Sequence, residues 1–550
     1  MPAANEFISP DYDVGIHDPF LLKDAEKAAE RIISAIESNE TIAVYSDYDA
    51  DGIPGAAMWN DFFGRIGFKN FIIYIPHRHD EGFGLNIEAV EELAGKGAKL
   101  LMTVDCGITD VNPVKRAGQL GMDVIITDHH EPPPELPEAF AIVDHKQADC
   151  AYPDKNICGT GVAFKLIQAI LKKNRFGFKE GHEKWLLDLV GMATLSDMVS
   201  LVGENRIFAY YGLQVFRKSP RKGLMQLLNK LKIAQRHVTE DDIAFMITPR
   251  INAASRMGVP MDAFHLLTAD NDVDAHTYAD HLDAINNERK GVVASLVKEV
   301  KKTVHERHGA DSGAIPSVIV LGNPAWRPSL LGLAANSCAE EFDRPVFLWG
   351  RDGDNAIKGS CRSEGRTHVV ELMRAVPVGV FSQFGGHKHS GGFAVANESI
   401  HYLEQRLNEA AEKVRNSKSE IPNKSEIQNS NDENIIDMEL SIDQIDYNLF
   451  NDIDKLAPFG IGNPKPVFLF RNAVPQSVRI FGKGYDHIEI IFKKSGGQKI
   501  PAISFFGAGE SWTKLISIGK PVDLIASVEK SMFKGRPELR LRVVDVTIRP

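Results

Sequence analysis

The chain has 550 residues, of which 43% are hydrophobic and 25% charged, so several domains are expected and wholesale disorder is excluded. Its longest apolar runs, such as 71–76, fall far short of the ~20 residues that span a bilayer, so we expect no membrane-spanning helix. The formal net charge of −11 does not by itself suggest a nucleic-acid partner, although basic stretches at 217–222 and 534–542 leave that class open.

The first 210 residues alternate between predicted helices and strands, which is the pattern of a parallel sheet with crossover helices. Predicted helices lie at 24–38, 52–66, 86–96, 111–120, 159–173 and 183–195. Predicted strands begin at residue 41 and lie at 71–75, 100–104, 124–127 and 140–143. We therefore expect an α/β domain at 1–210.

Four further regions are predicted from composition and periodicity. Residues 211–308 form a helical connector, in which apolar side chains at helical spacing indicate one long helix over 272–308. A second α/β domain follows at 309–417, with strands at 318–321, 346–349 and 356–360 and a helix at 330–341. Residues 418–434 are rich in Asn, Ser, Lys and Glu, which is typical of a flexible linker. Short alternating runs over 435–550 predict an all-β module.

Three predicted strands of the first domain end in acidic residues. Asp47, Asp49, Asp51 and then Gly52 follow the first strand. Asp105 and the triplet Asp128-His129-His130 each follow a later one, and Asp197 ends a predicted helix. The carboxyl ends of parallel strands share one edge, where ligand sites of open α/β sheets are built. We expect the chemistry of the protein at that edge.

A cluster of carboxylates requires compensating cations. Two like charges ~4 Å apart repel by about 4 kcal/mol at an effective dielectric of 20. Oxygen ligands with one or two imidazoles suit Mn²⁺ or Mg²⁺, and two such ions would serve phosphoester hydrolysis. A calcium loop does not fit the first stretch, because its twelfth position is Met58 rather than Glu. A solvated turn is the remaining alternative for each acidic stretch taken alone.

His129 and His130 are expected to have different roles. If the strand continued through them, their side chains would point to opposite faces. One would then bind a metal, and the other would face substrate or hold a neighbouring Asp.

The acidic motifs resemble those of a known superfamily. Asp128-His129-His130 is the motif that names the DHH phosphoesterases, and DYDADG at 47–52 resembles their first motif. Further segments resemble, in order along nearly the whole chain, the bacterial-type RecJ exonucleases. They are HDPFLL (17–22), EGFG (81–84), CGTGVAFK (158–165), ATLSD (193–197), PRINAASR (249–256), GSCRS (359–363), GGH (385–387) and APFGIGNP (457–464).

This resemblance implies a set of site residues. The metal ligands for two divalent cations, Mn²⁺ or Mg²⁺, would be Asp47, Asp49, Asp105, His129 and Asp197. Catalytic residues near them would be Asp51 and His130. The residues that bind the substrate phosphate would be Arg256, Ser360, Arg362 and His387. For the two arginines, an interdomain ion pair is the structural alternative.

The resemblance also implies the names of the domains and their substrate. The region 1–210 would be the DHH catalytic domain, 309–417 the DHH-associated domain, and 435–550 an OB-fold. That fold implies single-stranded nucleic acid, with contacts expected from Phe533, Lys534 and Arg536.

The activity that the resemblance implies is hydrolysis of single-stranded DNA from the 5′ end, with release of nucleoside 5′-monophosphates, in DNA repair and recombination. The alternatives are a DHH phosphodiesterase that acts on short oligonucleotides or cyclic dinucleotides, and an inactive DHH scaffold that binds DNA. By analogy with the family, a single-strand-binding protein and a helicase are expected partners.

The cellular location is expected to be the cytoplasm. Residues 1–10 contain no apolar segment, so we expect no signal peptide. The five scattered cysteines form no CxxC pair, which favours reduced thiols over a zinc site or a disulfide framework.

Overall fold

The computed structural model describes residues 7–309, 315–351, 356–364, 367–386, 388–419, 436–482, 484–531 and 536–548. These residues form two compact units. The larger unit contains the described parts of 17–197 and 212–426, and the smaller one those of 1–16, 198–211 and 427–550. No helix within the described ranges is long and apolar enough to cross a membrane.

Strands and helices alternate through the first 200 residues. In chain order they are α1 (Tyr12–Gly15), α2 (Ala25–Glu37), β1 (Thr41–Ser46), α3 (Gly52–Ile66), β2 (Phe71–Tyr74), α4 (Ile87–Gly95), β3 (Ala98–Val104), α5 (Val111–Gln119), β4 (Asp123–Thr127), β5 (Ala141–Val143), α6 (Gly159–Lys173) and α7 (Leu187–Ser196). The five strands form one parallel sheet in the order β2-β1-β3-β4-β5. Its central strands are buried on both faces, as expected when helices cover a parallel sheet.

The strand register aligns the ends of the central strands. Ser46 at the end of β1 pairs with Val104 at the end of β3. The ladder continues one bond further, because the amide of Asp47 donates to the Val104 carbonyl at 3.0 Å. In the same way, the amide of Asp105 donates to the carbonyl of Thr127 at 3.0 Å. The first residues after three adjacent strands therefore lie at one level of the sheet edge.

The region after α7 is helical. It contains α8 (Gly203–Phe216), α9 (Lys222–Leu231), a π-helical turn (Asp242–Ile247), α10 (Thr248–Met257), α11 (Met261–Thr268) and α12 (Asp272–His308). The 37-residue helix α12 begins at the N-cap Asn271, whose side chain accepts a hydrogen bond from the amide of Asp274. Several of its apolar side chains, among them Leu282, Leu296 and Val300, are buried.

The second sheet has five strands and is mixed. Its elements are β6 (Ile319–Gly322), α13 (Pro328–Phe342), β7 (Val346–Arg351), β8 (Ile357–Arg362), α14 (Val369–Ala375), β9 (Phe381–Gly386), β10 (Ser390–Val395) and α15 (Leu403–Ser419). The strand order is β6-β7-β8-β10-β9, in which β6 and β7 are parallel and the other neighbours antiparallel. One core lies between this sheet and helices α12 and α13.

The C-terminal module is a seven-stranded sheet with one helix. Its elements are β11 (Met438–Glu439), α16 (Tyr447–Asp454), β12 (Phe468–Ala473), β13 (Ser477–Phe481), β14 (His487–Lys493), β15 (Lys499–Ser504), β16 (Val522–Ser531) and β17 (Glu538–Ile548). The strand order is β11-β12-β16-β17-β15-β14-β13. Inward-facing residues such as Phe470, Ile490 and Leu524 form its core.

The predicted fold class is confirmed: two α/β sheets, a 37-residue helix between them in the sequence, and a C-terminal β-module. In the second sheet, β9 and β10 were not predicted as strands. Strands β9 and β10 contain paired glycines and lack the alternating apolar pattern on which strand prediction depends. Residues 198–211, predicted within the first domain, group with the C-terminal module, where the Leu201 amide donates to the Ile461 carbonyl at 2.7 Å.

Replacing Gly212 with alanine should destabilise the larger unit. A Cβ at Gly212 would lie 2.5 Å from the Cα of Gly191 on α7 and 2.8 Å from the carbonyl oxygen of Leu187. We expect Gly212→Ala to lower the free energy of unfolding by about 1–3 kcal/mol, measured by urea denaturation. Gly291→Ala on α12 is the control, because no atom of the described residues lies within 4 Å of its Cβ position. It should raise stability by up to ~1 kcal/mol. Equal shifts for both variants would contradict the close helix contact.

Candidate active site

The loop after β1 carries three carboxylates in a conformation fixed by hydrogen bonds. One oxygen of Asp49 accepts from the amides of Asp51 and Gly52, at 2.7 and 3.1 Å. The hydroxyl of Ser46 donates to the carbonyl of Gly52 at 2.6 Å. A Cβ on Gly52 would lie 2.4 Å from the carbonyl oxygen of Asp47, so only glycine fits this turn. The loop therefore holds the Asp47 and Asp49 side chains close together.

Asp51 is bound by the backbone at the start of α6. Its two carboxylate oxygens accept from the amides of Gly159 and Thr160, at 2.6 and 2.8 Å. These amides belong to the first turn of the helix, where backbone donors are otherwise unpaired and the dipole favours an anion. Burial and the charge of Asp49 still raise the pKa of Asp51 to about 6.

Asp105 is the central carboxylate of the site. It has a φ of +62°, and its side chain is buried. Gly159 makes room for it, because a Cβ there would lie 2.5 Å from the Cβ of Asp105. The Nε2 atom of His129 lies 3.0 Å from Oδ1 of Asp105, yet this oxygen has no hydrogen-bond partner in the described parts of the chain. Nε2 of His129 and Oδ1 of Asp105 are close enough to bind the same cation.

Asp128 holds His130 and belongs to none of the candidate metal-binding groups among the described residues. Its Oδ1 lies 2.7 Å from Nδ1 of His130 and accepts the amides of His129 and His130, at 2.7 and 3.1 Å. Burial opposes a charged imidazole, but the bond to Asp128 outweighs it and raises the pKa of His130 to about 9. In contrast, burial and the charge of His130 lower the pKa of His129 to about 3. His129 is therefore a neutral imidazole, the form that binds metal ions.

Strand β4 does not continue through His129 and His130, because it ends at Thr127. The expectation that their side chains point to opposite faces of a strand therefore does not apply. Their rings lie 4.6 Å apart, and both offer a nitrogen within reach of Asp105. Their different roles follow instead from the hydrogen bond between Asp128 and the ring of His130.

The described residues contain three groups whose potential ligand atoms lie within 4.8 Å of one another. They are Asp47, Asp49 and Asp105; Asp51, His129 and Asp197; and Asp105, His129 and His130. The five residues predicted as metal ligands therefore lie together at the sheet edge, and Asp105 belongs to two of the groups. Asp197, which follows the last residue of α7, lies 3.8 Å from Nδ1 of His129.

The electrostatics of the cluster favour a bound cation. Burial, followed by the charges of neighbouring carboxylates, raises the pKa of Asp47, Asp105 and Asp197 well above the ordinary value. One buried oxygen on each of Asp47 and Asp105 has no hydrogen-bond partner among the described residues. Buried oxygens of this kind are normally paired, and divalent cations are their usual partners when several carboxylates converge.

A second cluster carries the opposite charge. Burial and the positive charges of Arg78, Arg289 and Arg362 lower the pKa of Arg256 to about 9. Within the described ranges, neither Arg256 nor Arg362 has a carboxylate within 4.0 Å, so the alternative of an interdomain ion pair finds no support. Uncompensated guanidinium groups indicate a site for an anion such as phosphate.

Two elements fix the predicted phosphate-binding residues. Arg256, at the end of α10, donates to the carbonyl of Ser329 at 3.0 Å, and the hydroxyl of Ser329 donates back to its carbonyl at 3.1 Å. Ser360 and Arg362 lie two residues apart on β8, so their side chains point to the same face. A Cβ on Gly332 would lie 2.8 Å from the Arg362 guanidinium, so this glycine leaves the space that the arginine fills.

Three predicted residues lie outside the described ranges: His387, Phe533 and Lys534. Arg536 is described and exposed. In the C-terminal module, the Phe506 side chain is 74% exposed, and its ring lies 4.8 Å from that of His487. The neighbouring Phe505 is covered by the guanidinium of Arg542, 4.2 Å from its ring centroid.

Besides Arg289, three residues at this site were not predicted from the sequence. Arg78 follows β2 and stacks on Tyr48, with its guanidinium 4.9 Å from the ring centroid. Asn252 on α10 accepts from the amide of Ala50 at 2.9 Å and so connects this helix to the loop after β1. Phe83 is 54% exposed, and its ring lies 5.7 Å from that of His130. The basic run at 77–79, directly after a strand, was the signal available for Arg78.

The sequence matches profiles of three domain families. They are the DHH family N-terminal domain over residues 41–194, the DHHA1 domain over 316–419 and the RecJ OB domain over 436–545.

Two relatives and one solved structure are similar over most of the chain. The single-stranded-DNA-specific exonuclease RecJ of Bacillus subtilis (strain 168) is 32% identical over 537 residues, which cover 98% of this chain but 65% of that protein. The exonuclease of the same name from Haemophilus influenzae is 31% identical over 542 residues, with 96% and 91% covered. The crystal structure of RecJ in complex with Mn²⁺ from Thermus thermophilus has a TM-score of 0.78 and 25% identity, with 99% and 74% covered.

Binding of Mn²⁺ should release protons from the carboxylate cluster. Because the pKa values of Asp47, Asp105 and Asp197 are raised, the metal-free site holds protons at pH values at which ordinary aspartates have lost them. A cation displaces these protons, so affinity should rise with pH, and the release of protons is compared at pH 6 and at pH 8. Titration calorimetry in buffers of different ionisation enthalpy measures this release. Binding without proton release at either pH would contradict the raised pKa values.

Proposed function

The chain belongs to the RecJ family of single-stranded-DNA-specific exonucleases, and we propose that it hydrolyses single-stranded DNA from the 5′ end in DNA repair and recombination. The released products are nucleoside 5′-monophosphates. The observation that carries this proposal is the presence of both a carboxylate–imidazole cluster around Asp105 and an arginine cluster around Arg256 in one compact unit. A phosphodiester needs cations near its reacting oxygens and donors for its remaining negative charge.

Two divalent cations, Mn²⁺ or Mg²⁺, are the proposed cofactors. Asp47, Asp49, Asp105, His129 and Asp197 would hold them. Asp105 belongs to one candidate group with Asp47 and Asp49 and to another with His129. The bound ions would supply activation of the attacking water and stabilisation of the leaving oxygen. The support from this chain is the set of buried oxygens on Asp47 and Asp105 that find no partner in the described ranges, and the neutral state of His129.

The proposed catalytic role of His130 is to donate a hydrogen bond to the reacting phosphate. Asp128 fixes its Nδ1, so its Nε2 is the nitrogen available to substrate. The raised pKa keeps the imidazole protonated at neutral pH, and 40% of the side chain is exposed. The proposed role of Asp51 is to set the geometry of the loop, since its oxygens are bound by the start of α6.

The proposed polarity rests on the arginine cluster. Arg256, Ser360 and Arg362, with His387 from outside the described residues, would bind the 5′-terminal phosphate. A guanidinium donates two parallel hydrogen bonds to phosphate oxygens, which fixes the position of the chain end. The exposed ring of Phe83 beside His130 is available to the terminal nucleotide.

The C-terminal module would bind the rest of the strand. Its match to the RecJ OB domain and the exposed Phe506 support this role, because a base stacked on an aromatic ring contributes ~1–3 kcal/mol. Phe533, Lys534 and the exposed Arg536 are further proposed contacts. A single-strand-binding protein and a helicase are the proposed partners, and the cytoplasm is the proposed location.

The proposal is tested with a single-stranded oligonucleotide labelled at its 3′ end, in the presence of Mn²⁺. The parent protein should produce a ladder that shortens from the 5′ side. Asp105→Asn should lower turnover by about 10³-fold or more while strand binding is retained, because the isosteric amide removes the central charge of the site.

The matched control is Asp110→Asn. Asp110 is a largely buried carboxylate outside the cluster, and it accepts from the amide of Leu85 at 2.6 Å, a bond that an amide oxygen preserves. This variant should remain active.

Strand binding without cleavage by the parent protein would instead support an inactive scaffold. Cleavage confined to cyclic dinucleotides or to di- and trinucleotides would support a small-substrate phosphodiesterase.

Arg362→Gln should affect substrates that carry a 5′-phosphate most. Loss of a charge-assisted bond worth ~1.5–3 kcal/mol should raise KM by about 10–100-fold for a 5′-phosphorylated strand. A strand with a 5′-hydroxyl should change little. Arg374→Gln, an exposed arginine on α14, should leave both KM values unchanged. An equal loss for both strands would show that Arg362 does not bind the terminal phosphate.

A further inference from the structure

One backbone carbonyl joins three parts of the larger unit. The carbonyl of Arg256, near the end of α10, accepts a hydrogen bond from the hydroxyl of Ser329 at 3.1 Å. It also accepts one from Nε2 of His79 at 3.3 Å, since a carbonyl oxygen cannot donate and the imidazole nitrogen must. His79 lies in the loop after β2 of the first sheet, and Ser329 lies in the first turn of α13, which packs on the second sheet. The end of α10 is therefore held between the two α/β sheets.

Ser329 also determines which edge of the Arg256 guanidinium is left for a ligand. The carbonyl of Ser329 accepts a hydrogen bond from Nη1 of Arg256 at 3.0 Å. Nε of the same guanidinium is buried and has no hydrogen-bond partner in the described ranges. A guanidinium binds phosphate through two parallel N–H groups, and Nε forms such a pair with Nη2. The contact with Ser329 therefore leaves the Nε–Nη2 edge of Arg256 for phosphate.

One turn earlier, α10 contacts the loop that carries the metal-binding carboxylates. Oδ1 of Asn252 accepts a hydrogen bond from the amide of Ala50 at 2.9 Å, and Ala50 lies between Asp49 and Asp51. Asn252 and Arg256 are four residues apart, or ~6 Å along the helix, so they lie on one face of it. The negative charge of Asp49 also opposes the lowering of the Arg256 pKa, as expected for neighbouring groups. Helix α10 therefore connects the carboxylate cluster to the arginine cluster over a distance on the scale of one nucleotide.

We propose that Ser329 and His79 are positioning residues that set how many nucleotides separate the bound 5′ end from the cleaved bond. They hold the end of α10 so that Arg256 binds the 5′-phosphate one nucleotide away from the carboxylate cluster. Water adds to the next phosphorus and the P–O3′ bond breaks, so a mononucleotide leaves with a 3′-hydroxyl. When the end of α10 is released, the strand also binds in a second register, and dinucleotides appear among the products. This inference rests on the proposed function, which places the 5′-phosphate at Arg256.

The spacing of the two clusters is measured without turnover by titration calorimetry on the full-length protein with Mn²⁺. The probes are thymidine 3′,5′-bisphosphate, whose two phosphates are one nucleotide apart, and thymidine 5′-monophosphate. The bisphosphate reaches both clusters at once, so the parent protein should bind it about tenfold or more tightly than the monophosphate.

Ser329→Ala combined with His79→Leu should reduce this preference to about twofold or less, because the Arg256 carbonyl loses both hydrogen bonds. Ser329→Ala alone removes one of them and should reduce the preference by a smaller factor. Ser329→Thr keeps the hydroxyl and should keep the preference of the parent protein.

Cleavage of an oligonucleotide labelled at its 5′-phosphate gives the second measurement. The ratio of dinucleotide to mononucleotide should be about tenfold or more higher for the double variant than for the parent protein. The matched control is Ser337→Ala combined with His276→Leu. Ser337 lies ~12 Å further along α13 than Ser329, and the His276 side chain is 66% exposed on α12. This control should keep both the bisphosphate preference and the product ratio of the parent protein.

Three results would overturn the proposal. The first is equal affinity of the parent protein for the bisphosphate and the monophosphate. The second is a double variant that shifts the preference and the product ratio no more than the control does. The third is a double variant with a lower rate and an unchanged product ratio, which would make the two residues merely structural. A parent protein that prefers the bisphosphate but cleaves no strand would contradict the proposed activity and still support the spacing of the two clusters.

Discussion

Repulsion between buried carboxylates is the constraint on which the rest of the site depends. The register of the parallel sheet brings Asp47 and Asp105 to one level, and the end of α7 adds Asp197. Their raised pKa values show that the charged cluster is unfavourable without compensation. Folding tolerates it because backbone amides bind Asp49 and Asp51, and because protons or cations neutralise the remainder.

The arginine cluster is also a group of mutually repelling charges, but its charges are positive. Arg256 is half-buried among other guanidinium groups, and its pKa is lowered for the same reason that those of the aspartates are raised. Each cluster is unfavourable alone, and each is suited to a ligand of the other charge. A phosphate group with two bound divalent cations would compensate the charges of both clusters. Relief of the repulsion within each cluster would therefore favour the complex over the free protein.

The strand pattern was sufficient to predict that Asp47, Asp105 and His129 meet, because the ends of neighbouring parallel strands share one edge. The arginine cluster was predicted only in part: Arg256 and Arg362 followed from the family resemblance, and Arg78 and Arg289 were missed. Arg78, Arg256, Arg289 and Arg362 come from four separate elements, and no local pattern encodes their convergence. Different roles for His129 and His130 were expected from a continuous strand, whereas β4 ends before them and Asp128 holds the ring of His130. Glycine-rich β9 and β10 were missed because their pairing, rather than their composition, makes them strands.

The hydrogen bonds from the first amides of α6 to Asp51 bear on what happens to the site when metal is removed. These contacts involve the main chain of a helix whose first residues are fully buried, and they do not depend on a bound ion. We therefore expect the loop after β1 to keep this anchor when a chelator removes the cations, and metal binding to be reversible without a refolding step.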